Sequence, residues 1–229
     1  MIPVIVIRPQ PGCDATVAAA RALGLDVRAC PLFAVRPIAW EPPPAGSFDA
    51  ILLGSANAPR HAGPALAAYA GKPAYAVGAV TAEVARQAGL AVNAIGEGGI
   101  KALLPQLRPD HRRLLRLSGR ERMTLTPPRG TTIEERVVYA SEPLPPPPAL
   151  KVLLQSPALI LLHSAEAAQH FASLCDTHHI AREPLRLAAL GPRILRAAGS
   201  GWRAARAAQT PSDTALLALA REMCEDPAR

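Results

Sequence analysis

Two stretches of this chain repeat each other, and a repeated strand followed by a turn restricts the fold more than composition can. Residues 49–58 read DAILLGSANA, and residues 160–167 read ILLHSAEA. With Ile51 laid on Ile160, Leu52 meets Leu161, Leu53 meets Leu162, Ser55 meets Ser164, Ala56 meets Ala165 and Ala58 meets Ala167, while Asn57 falls on Glu166. An unbroken apolar run that closes in a small polar turn and a helix start is the end of a buried parallel strand. Open α/β sheets place their ligand-contacting loops at that end. The match continues downstream. Gly78 lies on Gly191, each after an apolar strand and before a short helix closed by glycine, and residues 100–104 (IKALL) lie on 213–217 (DTALL). The chain therefore reads as a tandem duplication with about one α/β unit per half, too long a period for a solenoid.

Taken in order, 4–7 is the first buried strand and Arg8-Pro9-Gln10-Pro11-Gly12 its turn. A helix over 14–23 ends at Gly24, and an extended segment over 26–35 is interrupted by Pro31, which demotes it to an edge or crossing strand. After the strand near 51–53 come a helix over 58–70, a strand at 74–77, a helix over 81–88, a strand at 91–95 and a helix over 100–107. The second half opens with 114–117, the counterpart of the first strand. Its following helix is damaged or shortened, because Thr126-Pro127-Pro128 cannot continue one. Residues 132–139 alternate as a strand. Two proline-rich spacers, 41–44 and 142–148, flank the block between them, so the chain leaves one domain, builds another and returns.

The net charge of +7 rests almost wholly on arginine, since Lys72, Lys101 and Lys151 are the only lysines. Only 3% of residues are aromatic and the arginines form no dense run, so a nucleic-acid partner is disfavoured and a small polyanion fits the charge better. The apolar residues 2–7 are too few for a signal or a membrane span. Cys13, Cys30, Cys175 and Cys224 have no C-x-x-C spacing, so neither zinc nor a redox dithiol is expected, and reduced thiols in a cytoplasmic protein are. Gly96-Glu97-Gly98-Gly99 lacks the lysine and hydroxyl of a phosphate loop and reads as a flexible loop. His178-His179 lacks further ligands and reads as surface.

An ordered set of short motifs resembles the uroporphyrinogen-III synthase family nearly end to end. It comprises Arg8-Pro9, Gly24, Pro31-Leu32, Asp49 through Ser55-Ala56-Asn57-Ala58, Val77-Gly78 with Thr81-Ala82 and Gly89, Ala102-Leu103-Leu104, Gly119, Val138-Tyr139, Ser164-Ala165 with Phe171, Leu190-Gly191-Pro192, and Pro211 with Ala215-Leu216-Leu217. The resemblance implies two similar α/β domains with parallel sheets, one inserted in the other, joined by a two-stranded linker with a cleft between them. The spacers are then the linker strands, residues 1–35 with 143–229 form one domain, and 37–141 form the other. It also implies a cofactor-free, metal-free cyclisation of hydroxymethylbilane, with loss of water and inversion of the last pyrrole ring. Hydroxymethylbilane synthase is the upstream donor, and a monomer is expected. A noncatalytic ligand-binding or regulatory module of the same architecture is the alternative.

For the residues, the resemblance assigns Tyr139 as proton donor to the departing hydroxyl; a strand tyrosine packed at the domain junction is the competing reading. Ser55, Ala56, Asn57, Gly78, Thr81, Gly119, Ser164 and Gly191 stand at strand ends and helix starts, where N–H and hydroxyl groups bind carboxylate or simply cap helices. Arg8, Arg120 and Arg193 are candidate carboxylate partners, and Arg122 reads as solvated surface. Thr81 has Ile194 as its counterpart, so the second copy lacks that hydroxyl.

Overall fold

The computed structural model describes residues 2–225. In chain order its elements are β1 (Val4–Val6), α1 (Gly12–Ala22), β2 (Val27–Ala29), β3 (Phe33–Pro37), β4 (Ala50–Leu53), α2 (Asn57–His61), β5 (Pro73–Val77), α3 (Ala79–Gln87), β6 (Ala91–Gly96), β7 (Arg113–Gly119), β8 (Thr132–Pro143), α4 (Pro148–Leu153), β9 (Ala158–Leu162), α5 (Ala165–Thr177), β10 (Leu185–Ala189), α6 (Pro192–Ala198), β11 (Ala204–Ala207) and α7 (Asp213–Glu225). The chain divides into two units. Unit 1 takes in the chain up to Ala34 and from Glu142 onward, and unit 2 is Val35–Ser141.

The sheet of unit 1 runs β2-β1-β9-β10-β11, all parallel. In a strand buried on both faces, successive side chains serve opposite cores. Val4 and Val6 pack with Leu159 and Leu161 under α1 and α7, whereas Ile5 and Ile7 pack with Ile160 and Leu162 under α5 and α6. Each of these eight side chains is buried.

Unit 2 runs β8-β7-β4-β5-β6, again parallel, with β3 added beside β8. The spatial order is that of unit 1 with β7 and β8 in the places of β1 and β2, and β4, β5 and β6 in the places of β9, β10 and β11. Each unit thus takes two strands from one half of the duplication and three from the other. The repeat signal of β4 against β9 is a correspondence between units.

Four local features differ from the sequence reading. The linker strands are β3 and the end of β8, not the proline spacers: residues 41–44 carry no strand, and 144–147 lie between β8 and α4. Proline has no N–H to give a ladder. Backbone bonds Ile38 N to Val138 O (2.9 Å) and Leu144 N to Leu32 O (2.8 Å) flank the paired segment. The helix expected over 58–70 is cut to α2 by Gly63-Pro64, after which Pro64–Tyr69 is 3₁₀. Ile100–Gln106 is also 3₁₀, with Pro105 inside it. Between β7 and β8 no helix forms at all.

That missing helix changes the sheet face beneath it. In unit 1 the face is covered by Cys13, Val17 and Ala20 of α1. In unit 2 the loop 120–131 lies there instead, contributing Leu125, and Arg116 of β7 stands where β1 has Val6. The Arg116 side chain is only 4% exposed and donates from Nη1 to Glu135 Oε1 on β8 and to Met123 O of the loop. Arg122 Nε donates to the other oxygen, Glu135 Oε2, at 2.7 Å. Arg122 is therefore a member of an ion cluster, not free surface charge. Burial pushes the Glu135 carboxyl up, but Arg122 and Arg116 outweigh it and hold the group below its ordinary value.

Candidate active site

In each unit the strand order reverses once, and such a switch point opens a crevice outside the carboxyl ends of the strands. In unit 1 the switch lies between β1 and β9, which delivers the Arg8 turn and the Ser164 turn. In unit 2 it lies between β4 and β7, which delivers the Ser55 turn and the Gly119-Arg120 turn. Gly78 and Gly191 follow the next strands over, as N-caps of α3 and α6. Tyr139 lies near the end of β8, beside β7.

Within unit 2, Ser55 Oγ accepts the Asn57 N–H at 3.2 Å, which fixes the tight turn into α2, and Ala56 is buried behind it. Gly119 is buried and pairs with Tyr139 across a bulge in the β7–β8 ladder. A Cβ on Gly119 would stand 2.7 Å from Tyr139 Cε2 and Cζ and 3.0 Å from its hydroxyl, so the tyrosine ring lies over this position because no side chain is there. The Tyr139 ring also faces His61 at the end of α2, with centroids 6.2 Å apart. Burial, then the neighbouring Arg60, lowers the His61 pKa, so a neutral imidazole sits beside the phenol. Arg120 is exposed, and its side chain makes no ion pair among the described residues. Thr81 is only 5% exposed at the third position of α3. Its counterpart Ile194 occupies the same position of α6 and joins the core, so this site points inward in both units and an apolar side chain suits it.

Within unit 1, Ser164 caps α5, its Oγ accepting from Ala167 N at 3.1 Å. Arg193 is exposed on the first turn of α6, with no ion pair among the described residues. Arg8 is engaged. Its Nη1 donates to Asp213 Oδ2 at 2.9 Å, to Asp213 Oδ1 at 3.2 Å and to Thr16 Oγ1 at 3.3 Å, and the Thr16 hydroxyl donates to Asp213 Oδ2 at 2.8 Å. His163 Nε2 stands 3.4 Å from Asp213 Oδ1, within ion-pair range but outside hydrogen-bond geometry. The His163 imidazole beside it, and the Arg8 guanidinium against the opposing effect of burial, hold the Asp213 carboxyl down at about 2. Burial pushes His163 below its ordinary value and keeps it neutral. Among the described residues, no group of three His, Cys, Asp or Glu could hold a metal ion, and no helix is long and apolar enough to cross a membrane.

The family model for uroporphyrinogen-III synthase HemD matches residues 14–218, a span that takes in most of both units. The chain belongs to the uroporphyrinogen-III synthase family. The uroporphyrinogen-III synthetase of Helicobacter pylori is similar in structure, with a TM-score of 0.64 and 18% identity over 97% of this chain and 100% of that one. A mutant uroporphyrinogen III synthase of Thermus thermophilus has a TM-score of 0.53 and 19% identity over 99% of this chain and 100% of that one. At such identities these likenesses establish the two-domain α/β fold of the family. No curated protein sequence matches the chain.

Against this family fold, the sequence reading passed over His61, Asp213, Thr16 and His163. Two signals were available in the repeat: His163 stands where the first copy has Gly54, and Asp213 stands where it has Ile100. A charged or imidazole side chain at a strand end or helix start, where its duplicate is apolar or absent, marks a local specialisation.

Proposed function

We propose that the protein is a uroporphyrinogen-III synthase, closing hydroxymethylbilane without a cofactor to uroporphyrinogen III with loss of water and inversion of the last ring. Membership of the family over residues 14–218 carries this reading. The strand-end turns of both units support it, because they supply what the chemistry asks of a protein. Expulsion of the hydroxyl is driven by pyrrole nitrogen and gives an electrophilic azafulvene. The last ring then attacks through its substituted carbon, and the resulting spiro intermediate opens and recloses. The enzyme's task is to hold the chain in the conformation that leads to the spiro centre.

In this reading the Tyr139 phenol donates its proton to the departing hydroxyl, which leaves as water. Its ring is held by the clearance at Gly119, and the proton that the pyrrole ring sheds on reclosing returns to the phenolate. Arg120 and Arg193, exposed and unpaired among the described residues, take substrate carboxylates. The backbone N–H groups at the starts of α3 and α5 take others. Ser55 and Ser164 shape their turns through capping bonds. In the same reading the enzyme is cytoplasmic and monomeric and is fed by hydroxymethylbilane synthase.

The test supplies freshly generated hydroxymethylbilane to the purified protein without added cofactor, oxidises the products and resolves the type I and type III porphyrins. A predominant type III isomer is expected, with Tyr139→Phe about tenfold to a hundredfold slower, at or below the low end of general-acid effects because pyrrole nitrogen drives the departure. Type I alone, alongside a working control enzyme, refutes the reading and favours a noncatalytic binding module of this fold.

A further inference from the structure

The Arg8 cluster of unit 1 contains more than an internal ion pair. Only Nη1 of the guanidinium is used, and Nε and Nη2 have no hydrogen-bond partner among the described residues. The side chain is 30% exposed. It lies on the first turn of α1, where a Cβ on Gly12 would come within 2.6 Å of Nε, 2.8 Å of Cζ and 2.9 Å of Nη2. The Gly12 N–H also lacks a partner among the described residues, since the helix bonds begin with Cys13 N to Pro9 O. A cation held against the positive end of a helix is unfavourable, and Asp213 offsets it from one side only. The imidazole of His163, 6% exposed and with neither nitrogen hydrogen-bonded, closes the cluster from the neighbouring strand end. Half-buried donors are ordinarily satisfied, and Arg8 Nε, Arg8 Nη2 and the Gly12 N–H are the donors here that no described residue satisfies.

We propose that the Nε/Nη2 edge of Arg8, together with the Gly12 N–H, is a subsite for a carboxylate, with Gly12 providing the clearance and Asp213 and Thr16 acting as positioning residues. Guanidinium and amide donors converge there on one anion, the arrangement that a flexible side-chain carboxylate matches best. The subsite rests on the synthase reading for the identity of its ligand, a carboxylate side chain of the bilane, but not for its existence. Asp213 fixes the fork's orientation through Nη1 and leaves the other edge free for substrate. Arg8 thereby serves two carboxylates at once, one from the protein and one from the ligand.

Two measurements separate the subsite from the overall function. In the first, sodium propionate is titrated into the isotope-labelled protein while the Arg8 Nε–H and Gly12 N–H resonances are followed. Both are expected to shift saturably, and in Arg8→Lys, which keeps the charge but lacks the fork, the Gly12 shift should need at least tenfold more propionate. No shift at either group, or the same Gly12 titration in Arg8→Lys, overturns the subsite whatever reaction the protein performs. In the second, steady-state cyclisation of hydroxymethylbilane should show KM raised several-fold by Arg8→Lys and by Gly12→Ala, with kcat falling less, and the double variant no worse than the poorer single one. An unchanged KM, or losses that multiply, removes the subsite from turnover even if propionate binds. Should Gly12→Ala fail to fold, Arg8→Lys decides both measurements.

Discussion

Replacing Glu135 by glutamine is the most informative single perturbation of the unit 2 scaffold. The carboxylate accepts from Arg116 Nη1 and from Arg122 Nε, and without its charge Arg116 is left 4% exposed with one carbonyl, Met123 O, as its remaining acceptor. Its Nε already lacks a partner. Removing one partner of a buried pair costs about 3–5 kcal/mol, because the surviving charge stays desolvated. Glu135 is itself 29% exposed and borders a pocket of about 390 Å³, through which water relieves part of that cost, so we expect the lower end, about 3 kcal/mol. For a domain the size of unit 2 this lowers the melting temperature by roughly 10–20 °C. Arg116→Met removes the buried charge itself and should cost about 1 kcal/mol or less, since Glu135 keeps Arg122. The double variant should be clearly more stable than Glu135→Gln alone. Urea titrations and calorimetry of the four proteins measure this cycle. If Glu135→Gln and Arg116→Met cost the same and their effects add, the cluster is not a coupled buried pair and the reasoning fails.

Two further outcomes follow from the site geometry. Gly119→Ala drives a methyl into the Tyr139 ring and should destabilise unit 2 by about 1–3 kcal/mol, as overpacking does; Gly119→Ala/Tyr139→Ala should recover part of that loss in a denaturation curve, and additive losses would show that the ring does not rest on Gly119. For pH, His163 is held below its ordinary value in the fold, so the unfolded chain takes up its proton first and stability falls as pH drops below about 6.5. His163→Gln should flatten the fall of the urea midpoint between pH 7 and 5, leaving the part due to His61, and an unaltered slope counts against a buried neutral imidazole. A second loss, from Asp213, belongs to lower pH: it begins below the ordinary carboxylate value of 3.8 and completes as pH falls through about 2.

The parts of the fold that were legible are those written in local pattern. Buried parallel strands are short unbroken apolar runs, and β4 and β9 carried enough of them in common to show the duplication. Pro31 was legible as an interruption because it separates β2 from β3 by removing a donor. Helix type was less so: Ile100–Gln106 has a helical apolar spacing, but Pro105 inside it and packing on Leu114 and Tyr75 settle for the tighter 3₁₀ turn. The linker was misplaced because proline-rich stiffness resembles extended structure without being able to pair. At the site, single strand-end residues such as Ser55 and Ser164 could be located, since turns are local. The Arg8–Asp213 pair could not, because it joins opposite ends of the chain and depends on β1 lying next to β9. The Arg116–Glu135 cluster was hidden for a different reason, as alternation along β8 gave no hint that one of its glutamates faces the core under a helix-free crossover.

The interleaved order of the strands also sets a timetable for synthesis. β1 is an interior strand of unit 1, yet its partner β9 begins only at Ala158. At about 5–20 residues per second the ribosome takes roughly 8–30 s to make that partner, during which an apolar strand has half its ladder unfilled. All of unit 2 emerges in the interval and can fold as one uninterrupted stretch. Once it has, residues 32 and 144 are brought within hydrogen-bonding reach by the β3–β8 pair. Closing a free loop of that length costs about 4 kcal/mol in chain entropy, and a folded insert has already met that cost before β9 arrives. The inserted unit thus prepares the closure of the unit that encloses it, and a lesion that unfolds unit 2 should impair the folding of unit 1 as well.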